Sequence, residues 1–316
     1  MREMQLQTPS PLWKDYQLID SGNFEKLERF GSYILARPEP KALWDKGLSD
    51  KEWKSSAHTI FTAGAGFGKA GKEDSGTWSM LKKMPDQWVI NYDGHGDTKE
   101  LSFRLRLGLT SFKHVGVFPE QAPNWDYIYK EVRRIRSSCS YKVPRVLNLF
   151  AYTGAASVAA RCAGAEVTHL DSVRQVVTWA KQNMELSNLD NIKWVVEDAM
   201  KFVKREEKRG NRYNGLILDP PAYGHGPSGE KWKLDECLFD LLKSCANIVE
   251  PEDRFVVLNL YSNGYSALLA DTLLKSAFNI PAVGDTKSKI ECGELYLKDV
   301  YGRALPLSVF ARLRDE

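Results

Sequence analysis

From about Arg145 to the C-terminus, short apolar runs alternate with segments whose apolar residues recur at helical spacing. One such segment carries Val177, Ala180 and Met184, which fall on one face of a helix. The apolar runs between the helical segments are RVLNLFA, EVTHLD, KWVVED, NGLILD and RFVVLNL. Because a helix separates each strand from the next, the strands can lie parallel, as in βαβ units. The pattern predicts an α/β fold of the Rossmann-like, doubly wound class with a mainly parallel sheet.

The two apolar runs closest to the C-terminus, KIECGELYL and ALPLSVFARL, are joined by the short segment KDVYGR. So short a connection cannot make a parallel crossover, which means that these two strands should be antiparallel neighbours. Together with the five strands above, they predict a seven-stranded sheet whose last strand is antiparallel.

The first 110 residues have a different pattern, rich in Trp, Gly and short polar loops. Their apolar or aromatic runs are HTIFTA, TWSMLKKM, QWVINY and LSFRLRLGLT. In the last of these, Phe103, Leu105 and Leu107 alternate with Arg104 and Arg106, the period of a half-buried strand. We therefore predict a smaller β-rich N-terminal domain at residues 1–110 and the α/β domain at residues 111–316.

Composition narrows the class of protein but not its partner. The net charge of +3 neither requires nor repels a polyanion. No apolar run reaches the roughly 20 residues that span a bilayer, and the start of the chain lacks an apolar signal core, so we expect a cytoplasmic protein without a membrane partner. The five cysteines are widely spaced and form no CxxC pair, which indicates reduced thiols and no metal site. Nothing in the sequence indicates an oligomeric state.

The segment GFGKAGK, residues 66–72, matches the spacing of a phosphate-binding P-loop as far as its lysine. Glu73 then stands where a P-loop has the Ser or Thr that holds magnesium, and no convincing buried strand precedes the segment. A glycine-rich hairpin loop is the favoured interpretation.

Glycine and acidic residues follow the predicted parallel strands, at the edge where doubly wound sheets bind their ligands. The turn after the first strand contains Gly154, which permits close approach of the backbone to a ligand, but it lacks the GxGxxG pattern of dinucleotide sites. Asp171 ends the second strand and could accept hydrogen bonds from both hydroxyls of a ribose. Asp198 follows the third strand and could accept from an adenine amino group. The alternative is that each acid only caps the helix after it.

The fourth strand ends in Asp219, Pro220 and Pro221, and one residue separates Pro221 from Tyr223. Two consecutive prolines remove two backbone donors and fix φ, so they hold Asp219 and the adjoining carbonyls rigidly. A plain turn would explain one proline, but not an acid, two prolines and an aromatic residue at the end of a central strand.

Three segments, LNLFAYTGAAS, LDPPAYGHGPSGEKWKL and HVGVFPEQAPNWDY, together resemble bacterial 23S (large-subunit) ribosomal RNA methyltransferases of the class I, S-adenosylmethionine-dependent type. The resemblance covers roughly residues 100 to 316 and implies S-adenosyl-L-methionine as the cofactor. In that family the glycine turn holds the methionine part of the cofactor, and the resemblance implies that Asp171 binds the ribose and Asp198 the adenine. The implied cofactor contacts are Phe118, Gln121, Asn148, Phe150, Ala151, Tyr152, Thr153, Gly154, Asp171, Ser172, Asp198, Ala199, Asp219 and Pro220.

The resemblance also implies the chemistry. The methyl group is already activated, so the enzyme must align a nucleophile and leave its lone pair free. In related N-methylating enzymes an Asp/Asn-Pro-Pro-aromatic motif binds the amine and stacks on the base, which makes Asp219 and Tyr223 the implied catalytic residues. The cytosine-5 branch needs a cysteine after the fourth or fifth strand, and residues 219–221 and 259–263 contain none. We predict methylation of a base nitrogen, with guanine as a candidate base.

Ribosomal RNA as the substrate depends mainly on the resemblance. Two basic segments, residues 133–136 and 201–209, could meet phosphates, although solvated helix faces are the more common explanation of such runs. Alternatives are a cytosine-5 RNA methyltransferase, a methyltransferase for proteins or small molecules, and a non-catalytic RNA-binding module of the same fold. A nicotinamide dehydrogenase is disfavoured by the missing glycine fingerprint.

Overall fold

The computed structural model describes residues 3–65, 75–138, 143–261, 264–281 and 288–315. The P-loop-like segment 66–72 and Cys139 lie outside these residues. Within the described residues, no helix has the length and apolar character needed to cross a membrane.

The N-terminal region is built from strands, as predicted. They are β1 (Gln5–Gln7), β2 (Tyr16–Gly22), β3 (Glu25–Phe30), β4 (Tyr33–Pro38), β5 (Thr59–Ala63), β6 (Gly76–Met80), β7 (Gln87–Asp93) and β8 (Ser102–Gly108). Strands β2 to β6 form a five-stranded sheet in chain order, and β7 pairs with β8. A short helix, α1 (Asp50–Ser56), separates β4 from β5 and begins with a capping box between Ser49 and Glu52.

The rest of the chain alternates strands and helices. Its elements are α2 (Ala122–Ser138), β9 (Arg145–Leu149), α3 (Ala155–Cys162), β10 (Glu166–Asp171), α4 (Arg174–Leu186), β11 (Ile192–Val196), α5 (Ala199–Lys208), β12 (Gly215–Leu218), β13 (Tyr223–His225), β14 (Lys231–Lys233), α6 (Leu234–Ala246), β15 (Phe255–Tyr261), α7 (Ala267–Ala277), β16 (Ser288–Lys298) and β17 (Ala304–Asp315). Every strand and helix predicted from the alternating pattern is present within a few residues of its expected bounds.

The large sheet has the order β1-β16-β17-β15-β12-β9-β10-β11. The last strand, β17, is antiparallel to both of its neighbours, as predicted. The predicted number of seven strands was wrong, because β1 adds an eighth at the edge, parallel to β16. This strand of three residues shows no apolar alternation in the sequence. Strand β1 lies very close to β16 at Gly293, where a Cβ atom would come within 1.8 Å of the Gln5 carbonyl oxygen.

Both faces of this sheet are covered, as a doubly wound fold requires. Leu147 and Leu258 face a core shared with α5, α6 and α7. Val146 and Val257 face the opposite core, which includes α2 and α3. That second core continues without interruption into buried side chains of the N-terminal strands, such as Ile90. The N-terminal region and the α/β region therefore share one continuous core.

Candidate cofactor and acceptor site

The turn between β9 and α3 has a strained backbone. Phe150 and Tyr152 have φ values of 56° and 49°, and Gly154 has a φ of 86°. A Cβ atom on Gly154 would lie 2.9 Å from the Ala180 Cβ atom, so glycine is required both by conformation and by the close packing of α4. Left-handed conformations at two non-glycine residues persist only where neighbouring groups hold them, and they occur often at functional sites.

Asp171 is one of those neighbouring groups. Its Oδ2 accepts a hydrogen bond from the Tyr152 backbone N–H at 2.9 Å, and its Oδ1 accepts from the Val173 N–H at 2.9 Å. Burial raises the pKa of Asp171, and these backbone donors act against that rise. The carboxylate therefore connects the end of β10 to the glycine turn. Each oxygen keeps a further lone pair, which remains compatible with the predicted contact to a ribose.

A buried polar chain lies under the same turn. Asn148 Nδ2 donates to Ser157 Oγ at 2.9 Å, and Ser157 Oγ is 3.0 Å from His169 Nδ1. Burial lowers the pKa of His169 to about 3, so the ring is neutral at physiological pH. This chain joins β9, α3 and β10, and it fixes the floor of the site.

The segment that precedes α2, residues 116–121, packs against the glycine turn. Thr153 Oγ1 donates to the Gly116 carbonyl oxygen at 2.7 Å, and the rings of Phe118 and Tyr152 lie 5.4 Å apart. Gly116 has a φ of 102°, and a Cβ atom there would come within 2.4 Å of the Trp179 ring. Residues 116–118 therefore pack closely against the glycine turn.

Asp219 and Asn259 meet at the ends of the adjacent strands β12 and β15. Asn259 Nδ2 donates to Asp219 Oδ1 at 2.7 Å. The side-chain oxygen of Asn259 is buried and has no hydrogen-bond partner among the described residues. Burial raises the pKa of Asp219 to about 6, while the hydrogen bond from Asn259 acts in the opposite direction. The second Asp219 oxygen and Asn259 Oδ1 take no part in this hydrogen bond, and both residues line the same cavity.

The double proline is anchored from the hairpin that follows it. Trp232 in β14 donates from Nε1 to the Pro221 carbonyl oxygen at 2.7 Å, and its ring lies 4.8 Å from that of Phe150. The segment after Asp219 is thereby tied to the glycine turn. Tyr223 begins β13 and is half-buried, with its hydroxyl 3.0 Å from His225 Nε2.

One cavity brings most of the predicted site residues together. Those that line it are Phe118, Gln121, Asn148, Phe150, Ala151, Tyr152, Thr153, Gly154 and Asp219. The predicted residues that do not line it are Asp171, Ser172, Asp198, Ala199, Pro220 and Tyr223. Asp198 caps α5 by accepting from the Lys201 N–H at 2.9 Å, which is the alternative role that the sequence had left open.

Several lining residues were missed at the level of sequence, among them Asn124, Trp125, Val257 and Asn259. Asn259 could have been found, because it occupies the end of the fifth strand, next to Asp219. Asn124 and Trp125 lie on α2, whose position over the strand ends is set by tertiary packing.

The two basic segments are largely occupied by ion pairs within the chain. In the second segment Arg205 pairs with Glu197, and Arg209 lies 3.3 Å from Glu206. In the first, Arg133 and Arg134 pair with Glu100 and Glu131. This pairing favours the interpretation of both segments as solvated helix faces. Among the residues that the structure covers, no group of three or more His, Cys, Asp or Glu side chains could hold a metal ion.

Comparison with known proteins identifies the class. A crystal structure described as the SAM-dependent methyltransferase from Agrobacterium tumefaciens is 35% identical, with a TM-score of 0.85, and the alignment covers 99% of this chain and 94% of that one. The chain belongs to the S-adenosylmethionine-dependent methyltransferases. A structure from Streptococcus mutans shares the fold at 16% identity, with a TM-score of 0.67 over 95% of this methyltransferase and 75% of that chain.

Other relatives match part of the methyltransferase. The family model described as "Conserved hypothetical protein 95" matches residues 133–234. The ribosomal RNA large subunit methyltransferase K/L of Shewanella frigidimarina is 28% identical over 51% of this chain, and that of Shewanella baltica 29% over 60%. The aligned part spans only 22% and 25% of the length of these two proteins.

The cavity suits the cofactor of the family. The glycine turn lines the cavity, and the buried side-chain oxygen of Asn259, which has no partner in the described structure, can accept a hydrogen bond from a ligand. The lining contains the polar side chains of Gln121, Asn148 and Thr153 and the apolar surfaces of Phe118 and Trp125. Such a lining, apolar with a few fixed polar groups, is typical of small-molecule sites.

Proposed function

We propose that this methyltransferase transfers the methyl group of S-adenosylmethionine to a nitrogen of an RNA base, with ribosomal RNA as its substrate. The observation that carries the proposal is the pairing of Asp219 with Asn259 in the cavity. Asn259 donates to one oxygen of Asp219, so both side chains have acceptors left for a ligand. Two adjacent acceptors match an amino group, which carries two hydrogens, better than they match a ring carbon.

When bound, the cofactor supplies an electrophilic methyl group on a sulfonium. Asp219 accepts a hydrogen bond from the amine of the base, and Asn259 accepts a second one, so that the nitrogen lone pair is directed away from both. The bound cofactor would supply its methyl group to this nitrogen and would itself be left as the neutral thioether. The proton that the nitrogen then loses passes to Asp219, whose pKa of about 6 allows the carboxyl to ionise again near neutral pH.

The remaining site residues have proposed roles around this pair. The glycine turn and Gln121 hold the methionine part of the cofactor, Asp171 the ribose and Asp198 the adenine, with Ser172, Ala199 and Pro220 beside them. Tyr223, four residues after Asp219, is the proposed stacking surface for the base. The hydrogen bond from Trp232 to the Pro221 carbonyl keeps this segment in place.

The N-terminal region, residues 1–110, is proposed to contribute to acceptor binding, and residues 111–316 to hold the cofactor. In support, a second depression shares Phe118 with the cofactor cavity and is lined from both regions by Lys26, Glu39, Lys113 and Tyr261. Lys26 lies 3.4 Å from Glu39, and both are almost fully buried. The depression thus places side chains of the N-terminal region next to the cofactor cavity, where an acceptor would enter.

A cytosine-5 reaction is less well supported. It needs a reactive thiolate, and burial raises the pKa of Cys162 to about 11 and that of Cys245 still further. Cys162 and Cys237 lie on helices, Cys292 on β16, and none of the described cysteines lines the cavity.

The RNA substrate rests on the similarity to ribosomal RNA methyltransferases, and it can be tested directly. Purified protein is incubated with tritium-labelled S-adenosylmethionine and with ribosomal RNA from cells that lack the gene. Label in an N-methylated nucleoside, identified by mass spectrometry after digestion, is the expected result. Label in 5-methylcytidine would contradict N-methylation, and label that resists ribonuclease but not protease would contradict RNA as the substrate.

A variant controls for contamination. Asp219→Ala should bind S-adenosylhomocysteine but lose transfer. Unchanged transfer by this variant would remove Asp219 from the mechanism, and an inability of the wild-type protein to bind S-adenosylhomocysteine would favour a non-catalytic module.

A further inference from the structure

Arg312, in the last strand of the sheet, is a buried cation behind the cofactor cavity. Arg312 is 2% exposed, and the central carbon of its guanidinium lies 4.7 Å from the ring centroid of Tyr127 and 4.2 Å from that of Phe310. Nη1 donates to Glu291 and Nη2 to Gln7, at 2.8 and 2.9 Å. These contacts fix the guanidinium in one orientation, and none of them involves a residue that lines the cavity.

The remaining donor of Arg312 does reach the cavity wall. Nε donates to Asn124 Oδ1 at 2.8 Å, and Asn124 Nδ2 in turn donates to Gln121 Oε1 at 2.7 Å. Asn124 is 3% exposed, and both amides line the cavity. The chain of contacts therefore runs from the guanidinium, through one amide, to the predicted cofactor contact Gln121.

The direction of this chain is dictated by chemistry. A guanidinium can only donate, so the oxygen of Asn124 must face Arg312. Asn124 is then left with its NH₂ group for Gln121, and Gln121 must offer its oxygen in return. What Gln121 has left for a ligand is its own NH₂ group. A buried Asn–Gln pair on its own could adopt either orientation, and the cation removes that freedom.

We propose that Arg312 is a positioning residue that, through Asn124, makes Gln121 a hydrogen-bond donor toward the cofactor, and that the α-carboxylate of the cofactor is the acceptor. The carboxylate is the strongest acceptor that S-adenosylmethionine carries, and it belongs to the methionine part, next to the glycine turn. The inference rests on the proposed cofactor site but not on the identity of the acceptor RNA.

The substitution Asn124→Asp keeps Arg312 but reverses the direction of the hydrogen bond between residues 124 and 121. An aspartate accepts from Arg312 and can accept again from Gln121, which turns the Gln121 oxygen toward the cofactor. Calorimetry without RNA would then compare two ligands: S-adenosylhomocysteine, which has the carboxylate, and 5′-methylthioadenosine, which lacks it. We expect Asn124→Asp to weaken S-adenosylhomocysteine binding about 10- to 100-fold and 5′-methylthioadenosine binding less than about threefold.

Two further variants keep the test sharp. Asn214→Asp is a matched control, because Asn214, like Asn124, accepts through its oxygen and donates through its NH₂ group. Its partners are the Arg145 N–H and the Asp253 carbonyl, and it does not line the cavity, so the variant should leave both affinities unchanged. Gln121→Glu should reproduce the selective loss, since it places an acceptor and a charge where the donor was. Equal weakening of both ligands by Asn124→Asp would overturn the carboxylate assignment. Unchanged binding of S-adenosylhomocysteine by Asn124→Asp would overturn the proposal as a whole, whatever RNA assays show.

Discussion

Asn259 Nδ2 donates a 2.7 Å hydrogen bond to Asp219 Oδ1, and so joins the ends of the adjacent parallel strands β12 and β15. Because the amide group is used in this way, its oxygen stays buried without a partner in the described structure. A folded protein leaves a buried acceptor unpaired at a cost of about 1–3 kcal/mol. The arrangement is best understood as a site that is completed by a ligand that donates hydrogen bonds.

The first prediction concerns the pH dependence of methyl transfer. Asp219 must be ionised to accept both the hydrogen bond and the proton of the amine, and its pKa is about 6. The rate at saturating cofactor should therefore rise as the pH increases through about 6 and then level off. Asp219→Asn should lower the rate at least about 100-fold and remove this rise. A wild-type rate that is flat from pH 5 to pH 8 would contradict the assignment.

The second prediction is that Asp219→Asn stabilises the fold. Because the pKa of Asp219 is raised on folding, the folded state binds this proton more tightly than the unfolded state. The contribution of Asp219 to stability is therefore most favourable at low pH and is lost as the pH rises through about 6. At pH 8 the ionised, buried carboxylate should cost up to about 3 kcal/mol, which an uncharged amide avoids. Urea denaturation should show the variant to be more stable than the wild type at pH 8, and by much less at pH 4.5. A variant less stable than wild type at pH 8 would refute this account.

The third prediction concerns His169, whose contribution to stability falls as the pH is lowered. Burial lowers the pKa of His169 to about 3, so the unfolded state takes up a proton below pH 6.5 and the folded state does not. The wild-type protein should lose about 2 kcal/mol of stability to this group between pH 7.5 and pH 5. His169→Asn, which can still bond to Ser157, should lack that loss. The measurement is the free energy of unfolding of both proteins at the two pH values, and equal pH slopes would show that His169 is not the group concerned.

How far the sequence determines this site depends on how local each contact is. Gly154 and Asp219 follow buried strands and line the cavity, and the fold rule that ligands bind at strand ends was enough to single them out. The same rule selected Asp171, which does not line the cavity but accepts a hydrogen bond from the glycine turn. Tyr223 came from the same rule, yet it lies in a hairpin after two prolines, and the cavity does not include it. A position in the sequence after a strand does not fix where the side chain lies once the chain has turned.

Other features could not be read from local patterns. Arg312 and Asn124 are 188 residues apart, and their contact exists only because β17 and α2 pack together. Strand β1 is held by pairing with β16 rather than by any alternation of its own three residues. In both cases the information lies in tertiary packing, which overrides local propensity.

The fourth prediction separates backbone strain from packing at the glycine turn. Gly154→Ala introduces both a left-handed alanine and a contact of 2.9 Å with Ala180, whereas Gly210→Ala introduces only the former, since nothing lies within 4 Å of its Cβ position. Gly210→Ala should cost about 1 kcal/mol and Gly154→Ala about 2–4 kcal/mol. Only Gly154→Ala should also weaken S-adenosylhomocysteine binding. Similar losses of stability and unchanged binding in the two variants would show that the turn tolerates displacement from α4.

The fifth prediction concerns the hydrogen bond from Trp232 to the double proline. Trp232→Phe removes the 2.7 Å hydrogen bond to the Pro221 carbonyl but keeps an aromatic ring against Phe150. The stability should fall by only about 1 kcal/mol. Since the segment that follows Asp219 loses its anchor, kcat should fall about tenfold while the affinity for S-adenosylhomocysteine stays within about twofold. The matched control is Trp78→Phe, which removes an equivalent bond of 2.8 Å to the Thr110 carbonyl in the N-terminal region. A control that lowers kcat as much as Trp232→Phe would attribute the effect to general loosening of the fold, because Trp78 does not line the cavity.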